Sequence, residues 1–479
     1  MNITKISKNI QNTLNKYLDT HPPVLSIIQE IDKEGGKTLL VGGAVRDLLL
    51  RREMKDLDLE VHGLPLEKLQ KILRQFGKVS MIGKSFGVLR LHGLDVDFSL
   101  PRKDSAGRKP KVKIDPFMSF KDAFSRRDLT INAMGIDLVT YDLIDPFDGY
   151  KDLAKKVLRA PDKNKFIEDP LRFYRVMQFI SRFEMEPDAE LNEICKKMDI
   201  SEISMERIEA ELHKLMLKSK KPSLGIRWLK KLSRLSEVLP EVADTVDIQQ
   251  ESDWHPEGDV FEHLMQCIDA AAALDYENDI DKLKVMYATL CHDLGKAVTT
   301  ENIGGRWKSI GHAKKGVKIT KNLLSRFTRN KDLAESVEKM VRHHMAPIQF
   351  VAAKAKPAAY KRLARKLAPH TTLDLLAKVS LADKRGRNPM KGAPLAKNFS
   401  VAAIEKFLKK AKEAKVEKIP EPPILFGRDL MGITEPGPRM GEILKKAYEI
   451  QIERGIRDKQ ELKKIVFKEI ALQNGEKED

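Results

Sequence analysis

The sequence predicts an α+β protein: a head of mixed strands and helices followed by a long all-helical remainder. Three observations carry this. Strand-like and helix-like segments alternate over residues 1–150, strand signals nearly vanish after Tyr150, and helical apolar spacing then persists to the end. At 479 residues, the chain is too long for one core and implies roughly three or four compact units.

In the head, residues 37–41 form a short apolar strand ending in Gly42-Gly43, and residues 44–52 read as a helix. Residues 57–61 are a strand, 66–76 a helix, and 88–91 and 94–98 two further strands. Residues 102–116 are polar, basic and rich in turn formers, which predicts a mobile loop. Beyond the head, residues 171–183, 205–217 and 223–235 are helical by apolar spacing. Turn-rich residues 249–259 mark a boundary, the pattern is helical again from 260 to about 388, and residues 389–394 read as a linker. Residues 401–418 are a basic amphipathic helix and 420–423 a break. The expected domains are therefore 1–150, 151–248, 249–392 and 393–479.

The net charge of +17 favours a polyanionic partner, nucleic acid first, over a merely basic surface. No apolar run is long enough to span a bilayer, and residues 1–20 lack the apolar core of a signal peptide. Three isolated cysteines, Cys195, Cys267 and Cys291, build neither a disulfide framework nor a thiolate zinc site. A reducing, cytoplasmic setting without membrane association follows.

Several motifs carry chemistry. In Val41-Gly42-Gly43-Ala44-Val45-Arg46-Asp47, the glycines let a phosphate approach the backbone between strand and helix, and Arg46 can add a bidentate contact. In Asp56-Leu57-Asp58, residues i and i+2 of a strand share a face. Two carboxylates there repel unless a cation lies between them, and they suit Mg²⁺, which keeps positions free for phosphate and water. The alternative is a solvated polar strand face. Asp95 and Asp97 form a second pair; Asp97 is the preferred third carboxylate because it lies just before the loop. Arg126-Arg127-Asp128 turns apolar at Asn132-Ala133-Met134, so this segment enters the core with its arginines placed for phosphates. Asp169-Pro170 suits the start of a helix. Equally, Asp169, Arg172 and Arg175, spaced by three, put acceptors and donors on one face that could read a base edge.

Taken in order, Gly-Gly-Ala-Val-Arg-Asp, Asp-Leu-Asp, Arg-Arg-Asp-Leu-Thr-Ile-Asn-Ala-Met, Asp-Pro-Phe-Asp-Gly and Glu-Asp-Pro-Leu-Arg resemble class II CCA-adding enzymes, tRNA nucleotidyltransferases grouped with bacterial poly(A) polymerases. The match covers residues 37–217 and includes Ile203-Ser204-Met205-Glu206-Arg207. The resemblance implies a polymerase-beta-like head (1–150), a helical neck and body (151–248), and CCA addition to tRNA from CTP and ATP. It implies that Asp56 and Asp58 bind Mg²⁺ with Asp97 assisting. One ion would activate the 3′-hydroxyl and the other would stabilise leaving pyrophosphate. Gly43, Arg46 and Arg127 would contact triphosphate or ribose, Asp169 and Arg172 would pair with the base, and Arg175 would hold the nucleotide. The family often carries a third arginine where this chain has Gln178, which puts the triphosphate clamp in question. The presence of loop 102–116 favours full CCA addition over CC addition.

Residues 254–387 resemble an HD-domain metal phosphohydrolase. His263, His292, Asp293 and Asp383 match that family's four-ligand set, and His312, His343 and His344 could serve a second ion or the substrate. A divalent transition metal such as Ni²⁺ or Mn²⁺ and phosphatase or 2′,3′-cyclic phosphodiesterase activity are implied. Within the tail, 393–479, Leu425-Phe426-Gly427-Arg428-Asp429-Leu430 through Pro436-Gly437-Pro438-Arg439-Met440 resembles the tRNA-gripping tail segment of such enzymes, with an ordinary helical cap as the alternative, and a homodimer is left open. The alternatives are a poly(A) polymerase, a partial A- or CC-adding enzyme, and an HD phosphohydrolase with a non-catalytic nucleotide-binding head.

Overall fold

The computed structural model describes residues 2–54, 57–82, 87–94, 96–104, 112–390, 392–431 and 434–473. Asp56, Asp95 and residues 105–111 of the predicted loop lie outside them. The chain folds into two compact units. One comprises residues 1–215 and 224–234; the other comprises 216–223 and 235 onward.

The first unit is built on an eight-stranded mixed sheet. Its strands, in chain order, are β1 (Asn2–Lys5), β2 (Lys37–Val41), β3 (Leu57–His62), β4 (Val79–Ile82), β5 (Val88–Leu91) and β6 (Val96–Ser99), then, after the hairpin β7 (Arg102–Asp104) and β8 (Val112–Ile114), β9 (Gly135–Asp137) and β10 (Asp142–Asp145). The spatial order is β1-β10-β9-β2-β3-β6-β5-β4. All neighbours are antiparallel except β3 and β6. Leu57, Leu59, Val61 and Phe98 bury on one face against Leu14, Leu18, Ile27, Ile31, Leu69 and Leu73 of three helices. The two-residue period of a strand therefore sends Asp58, Glu60, His62 and Asp97 to the opposite face.

The helices Leu171–Phe183, Met205–Lys218 and Ser223–Lys231 form where apolar spacing places them. The predicted loop differs: its ends pair as the antiparallel β7–β8 hairpin, Arg102 opposite Ile114. Loop composition marks a reversal of the chain but not whether its stems pair.

The second unit is mainly helical. Asp259, Asn278, Asn330 and Thr372 accept backbone N–H bonds at the starts of Val260–Ala272, Asp279–Cys291, Lys331–His343 and Leu373–Arg385, satisfying donors that a helix leaves open. Among the described residues the all-helical expectation fails at two places: in the first unit Val157–Leu158 pairs in parallel with Glu186–Pro187, and in the second Thr300–Ile303 and Arg306–Ser309 pair as a hairpin around Gly304-Gly305. Its side chains are largely exposed, so it shows neither a buried run nor a clear alternation. The basic helix is Ala402–Glu413, shorter than 401–418. The final helices enclose a small core of Leu430, Ile443, Ala447 and Leu462. No helix among the described residues is long and apolar enough to cross a membrane.

Buried Arg234 closes one end of the first unit. Its Nη1 donates to the carbonyls of Cys195, Met198 and Lys196 at 2.8, 3.0 and 3.1 Å, and its guanidinium lies 5.0 Å from the Phe173 ring centre. Arg234→Ala leaves these carbonyls without that donor and should destabilise the protein by about 2–3 kcal/mol, read as an earlier thermal unfolding transition.

Candidate functional site

In the first unit the described candidates Gly43, Asp58 and Asp97 lie at or just beyond the ends of β2, β3 and β6. Gly42 ends β2 with φ of +72°, a conformation glycine adopts readily. A Cβ there would also stand 2.7 Å from Arg127 Nη1. Gly43 starts the short helix Gly43–Leu49. Asp58 and Asp97 are opposite each other in the parallel β3–β6 register and so share a face. Asp58 is exposed. Asp97 accepts from Arg90 Nε and Nη2 at 2.7 and 2.9 Å.

Arg46 is placed differently from an open phosphate contact. It is buried, donates to both Asp47 oxygens at 2.9 Å and to Asn132 Oδ1 at 2.6 Å, and lies over the Phe183 ring. Burial lowers its pKa, and Asp47 opposes that shift.

Two buried carboxylates organise the remaining arginines. Asp128 accepts from Arg175 Nε at 2.7 Å, from Asn132 Nδ2 at 2.9 Å and from the Leu129 N–H at 2.8 Å. Burial alone would raise its pKa; the Arg175 charge and these bonds outweigh burial and bring it to about 2. Glu60, which the sequence motifs do not single out, is fully buried two residues beyond Asp58. It is 3.0 Å from His62 Nε2, 3.5 Å from Arg127 and 3.6 Å from Arg126. Burial again opposes ionisation, but His62 and Arg127 hold its pKa at about 2. A signal for it exists: the period of two that pairs Asp56 with Asp58 extends to Glu60.

Asp169 and Arg172 come from the same turn but do not bond side chain to side chain. The Asp169 carboxylate accepts from the Leu171 N–H at 3.2 Å and from Arg207 Nη2 at 2.9 and 3.1 Å. Arg172 donates to the carbonyl of Lys165 at 2.7 Å and to that of Arg126. Gln178 is buried on the same helix.

The second unit brings its predicted ligands into one buried cluster. His263 Nε2 is 3.3 Å from His292 Nε2, 3.3 Å from Asp383 Oδ1 and 3.5 Å from Asp293 Oδ2. His292 Nε2 is 3.3 Å from Asp293 Oδ2. Donors about 2.0–2.2 Å from one transition ion stand roughly 3–3.5 Å apart, so this set fits a metal. Outer partners orient it. His292 Nδ1 is 2.7 Å from the Thr289 carbonyl, His263 Nδ1 is 2.6 Å from Glu257, and Arg387 bonds Asp383 at 2.7 Å. Burial would raise the Asp293 pKa, but Lys296, 2.7 Å away, and His292 hold it well below the usual carboxylate range. Gly295 makes the cluster sterically possible, since a Cβ there would lie 2.0 Å from the His312 carbonyl. His312 and His344 are in the cluster. Half-buried His343 is not among its ligands, because adjacent residues at a helix end diverge by about 100°. Cys267, in sequence only an isolated cysteine, has its Sγ 3.4 Å from His263 Nε2.

The Poly A polymerase head domain model matches residues 38–159 and the HD domain model residues 260–386. A multifunctional CCA protein of Stenotrophomonas maltophilia is 30% identical over 426 residues, 86% of this chain and 98% of that protein. One of Mannheimia succiniciproducens is 34% identical over 313 residues, 62% and 72% of the respective chains. Among solved structures, the Bacillus stearothermophilus CCA-adding enzyme in complex with CTP aligns with TM-score 0.66 and 18% identity, covering 94% of this chain and 98% of its own. The Thermotoga maritima CCA-adding enzyme complexed with tRNA aligns with TM-score 0.58 and 20% identity, covering 98% and 100%. These two are likenesses of fold.

The depressed Asp128 pKa gives a pH signature. Its contribution is present above the unfolded value of about 3.9 and is lost as pH falls through about 2. By linkage Asp128→Asn should therefore cost about 2 kcal/mol near neutrality, and the gap to the native protein in urea melts should close toward pH 2.

Proposed function

The chain belongs to the family of multifunctional CCA proteins, and from that premise we propose that it adds C, C and A to the 3′ end of tRNA from CTP and ATP without a nucleic-acid template. The observation that carries this reading is the in-register placement of Asp58 beside Asp97, next to the Gly42–Gly43 turn with Arg127 over it.

Asp56, Asp58 and Asp97 are assigned as the carboxylates that hold Mg²⁺. Bound there, Mg²⁺ supplies the charge that activates the terminal hydroxyl and stabilises pyrophosphate. Arg127 and Gly43 face the triphosphate or ribose, with Glu60 holding Arg127 from behind. Arg46, already bonded to Asp47 and Asn132, braces the turn as well as adding positive charge. Asp169 and Arg172 read the base. Arg207 holds the first and two main-chain carbonyls hold the second, so acceptor and donor are presented in fixed directions, which suits edge recognition. Arg175, set by Asp128, completes the nucleotide site.

Residues 1–150 are assigned as the nucleotidyltransferase head, 151–248 as the neck and body, 249–392 as the phosphohydrolase domain and 393–479 as a tail for tRNA contact. His263, His292, Asp293 and Asp383 would hold a transition metal such as Ni²⁺ or Mn²⁺ for phosphatase and 2′,3′-cyclic phosphodiesterase activity, supported by their convergence at 3.3–3.5 Å. A cytoplasmic location and a homodimer fit the same reading.

Purified protein, Mg²⁺ and tRNA lacking its CCA end should yield ends in CC with CTP alone and CCA with both nucleotides, read by sequencing the products. Failure to extend with either nucleotide overturns the proposal, and long A-tails from ATP alone would indicate a poly(A) polymerase. Asp58→Ala should lower transfer by on the order of 10³-fold. Asp293→Ala should leave tRNA extension intact while abolishing hydrolysis of a 2′,3′-cyclic phosphate; loss of extension as well would refute the separation of the two chemistries.

A further inference from the structure

The buried cluster of the second unit opens toward solvent on one side. The side chains of His263, His292, Asp293 and His344 are at most 3% exposed, whereas those of Asp383 and His312 are each 10% exposed. Each of these two leads by a short chain of contacts to a tryptophan. Arg387 donates through Nη2 to Asp383 Oδ1 at 2.7 Å and through Nη1 to the Trp254 carbonyl at 3.2 Å. His312 Nδ1 is 2.8 Å from the Ser309 carbonyl, and Ser309 follows Trp307 by two residues on one strand. Glu251 ties the two segments together. Its carboxylate accepts from the Trp307 N–H at 3.2 Å, and its carbonyl accepts from the Trp254 N–H at 3.0 Å.

An indole is large and mostly apolar, so folding ordinarily covers most of it. Trp228, in the first unit, is 5% exposed, but Trp254 is 66% and Trp307 38% exposed. Val298 and Ile310, which bracket the hairpin, are exposed as well. The charge around these apolar groups is mainly positive. Arg306, Lys308, Lys314 and Lys315 are exposed in and just after the hairpin, against the exposed acids Glu301 and Asp253. Flat apolar rings among cations are the combination with which proteins hold single-stranded nucleic acid, the rings stacking on bases and the cations following the phosphates.

We propose that Trp254 and Trp307 are stacking platforms for the last bases of a single-stranded RNA, which bring its 3′-terminal phosphate to the opening at Asp383 and His312. The proposal rests on reading the buried cluster as a phosphohydrolase site, and it names that site's substrate class as an RNA end. A 2′,3′-cyclic phosphate forms only on a ribose, so the phosphate always arrives with a base attached. At the end of an RNA a second base stands directly behind the first. One platform beside each exposed member of the cluster suits two bases; a mononucleotide has only one to offer, and a simple phosphate ester none. Stacking is tolerant of base identity, so the selection is for length rather than sequence.

Two measurements on the full-length protein test this. In the first, metal-free protein is irradiated with a short RNA that ends in a 2′,3′-cyclic phosphate and carries 4-thiouridine in its last position, and crosslinked peptides are identified by mass spectrometry. Crosslinks within residues 251–255 and 303–309 are expected, diminished in Trp254→Ala and Trp307→Ala. Crosslinks confined to residues 1–215 overturn the proposal. In the second, Ni²⁺-loaded protein is given a cyclic-phosphate mononucleotide or a tetranucleotide with the same end. The tetranucleotide should show a KM lower by about tenfold or more. Each alanine variant should raise that KM by about the same factor without changing kcat on the mononucleotide, and Trp254→Phe and Trp307→Phe, which keep a ring, should restore most of it. Extension of tRNA by the other unit reports that each variant is folded. Equal KM for the two substrates in the native protein, or phenylalanine forms as impaired as the alanine forms, overturns the proposal. Crosslinks at both segments without hydrolysis of either substrate keep the RNA-binding face and overturn only the phosphohydrolase reading. A dimer lost in the alanine variants, with no crosslinks at either segment, assigns the face to a second copy of the chain and overturns the proposal.

Discussion

Asp128 is the residue on which the first unit's site depends. It is buried, so its charge must be matched where it stands. Arg175 supplies the match from the helix Leu171–Phe183. Asn132 bonds Asp128 through Nδ2 and Arg46 through Oδ1. Arg46 in turn bonds Asp47. One unbroken line of hydrogen bonds therefore joins the helix Leu171–Phe183, the Arg126–Asn132 segment and the helix that follows the Gly42–Gly43 turn. None of these side chains can turn freely without leaving a buried polar group unpaired, which costs more than the bond itself contributes.

Glu60 does similar work from the sheet. Residues of β3 alternate between the apolar core and the charged face, so Asp58 and Glu60 point the same way with different surroundings. Asp58 is at the exposed end. Glu60 is two residues deeper, flanked by His62, Arg126 and Arg127. One strand thus carries an exposed carboxylate and a buried one that fixes two arginines.

Much of this was legible because chemistry-bearing residues recur at structural periods. The strand period of two places Asp58 and points to Asp97, and the glycines at 42 and 43 mark a turn. Pairing across strands is not written in either strand, so the register that sets Asp58 against Asp97 comes only from the folded sheet. Glu60 was missed because, without its partners, it resembles any solvated acid on a polar face. The spacing of Asp169 and Arg172 puts them on one face but does not show what holds them, which is Arg207 for Asp169 and the carbonyls of Lys165 and Arg126 for Arg172. Likewise the doublet His343-His344 offers two equal ligands to a reader of the sequence. Helix geometry turns only His344 toward His312, with its Nδ1 secured on Val341. The hairpin at 300–309 carried a Gly-Gly turn signal, but its exposed strands lack the apolar alternation that would have completed it.

The two sites differ in a way that follows from what each must hold. In the first unit Asp58 is exposed, and the acids Glu60 and Asp97 share its face of the sheet. Such donors suit a hard ion that arrives with its nucleotide and keeps much of its water. In the second unit the donors are imidazoles and carboxylates buried in a packed helical core, with Nδ1 of His292, His312 and His344 tied to main-chain carbonyls three residues earlier. That repeated bond fixes three rings without any side-chain partner, so the ligand geometry is set by the helix ends and turn that carry them. Such a preset cage discriminates by donor type and favours softer, tightly held ions. Under the proposed assignment, an exposed site of oxygen donors would exchange its ion more readily than a buried site of imidazoles and carboxylates, so burial and donor type alone would keep two metal chemistries apart in one chain.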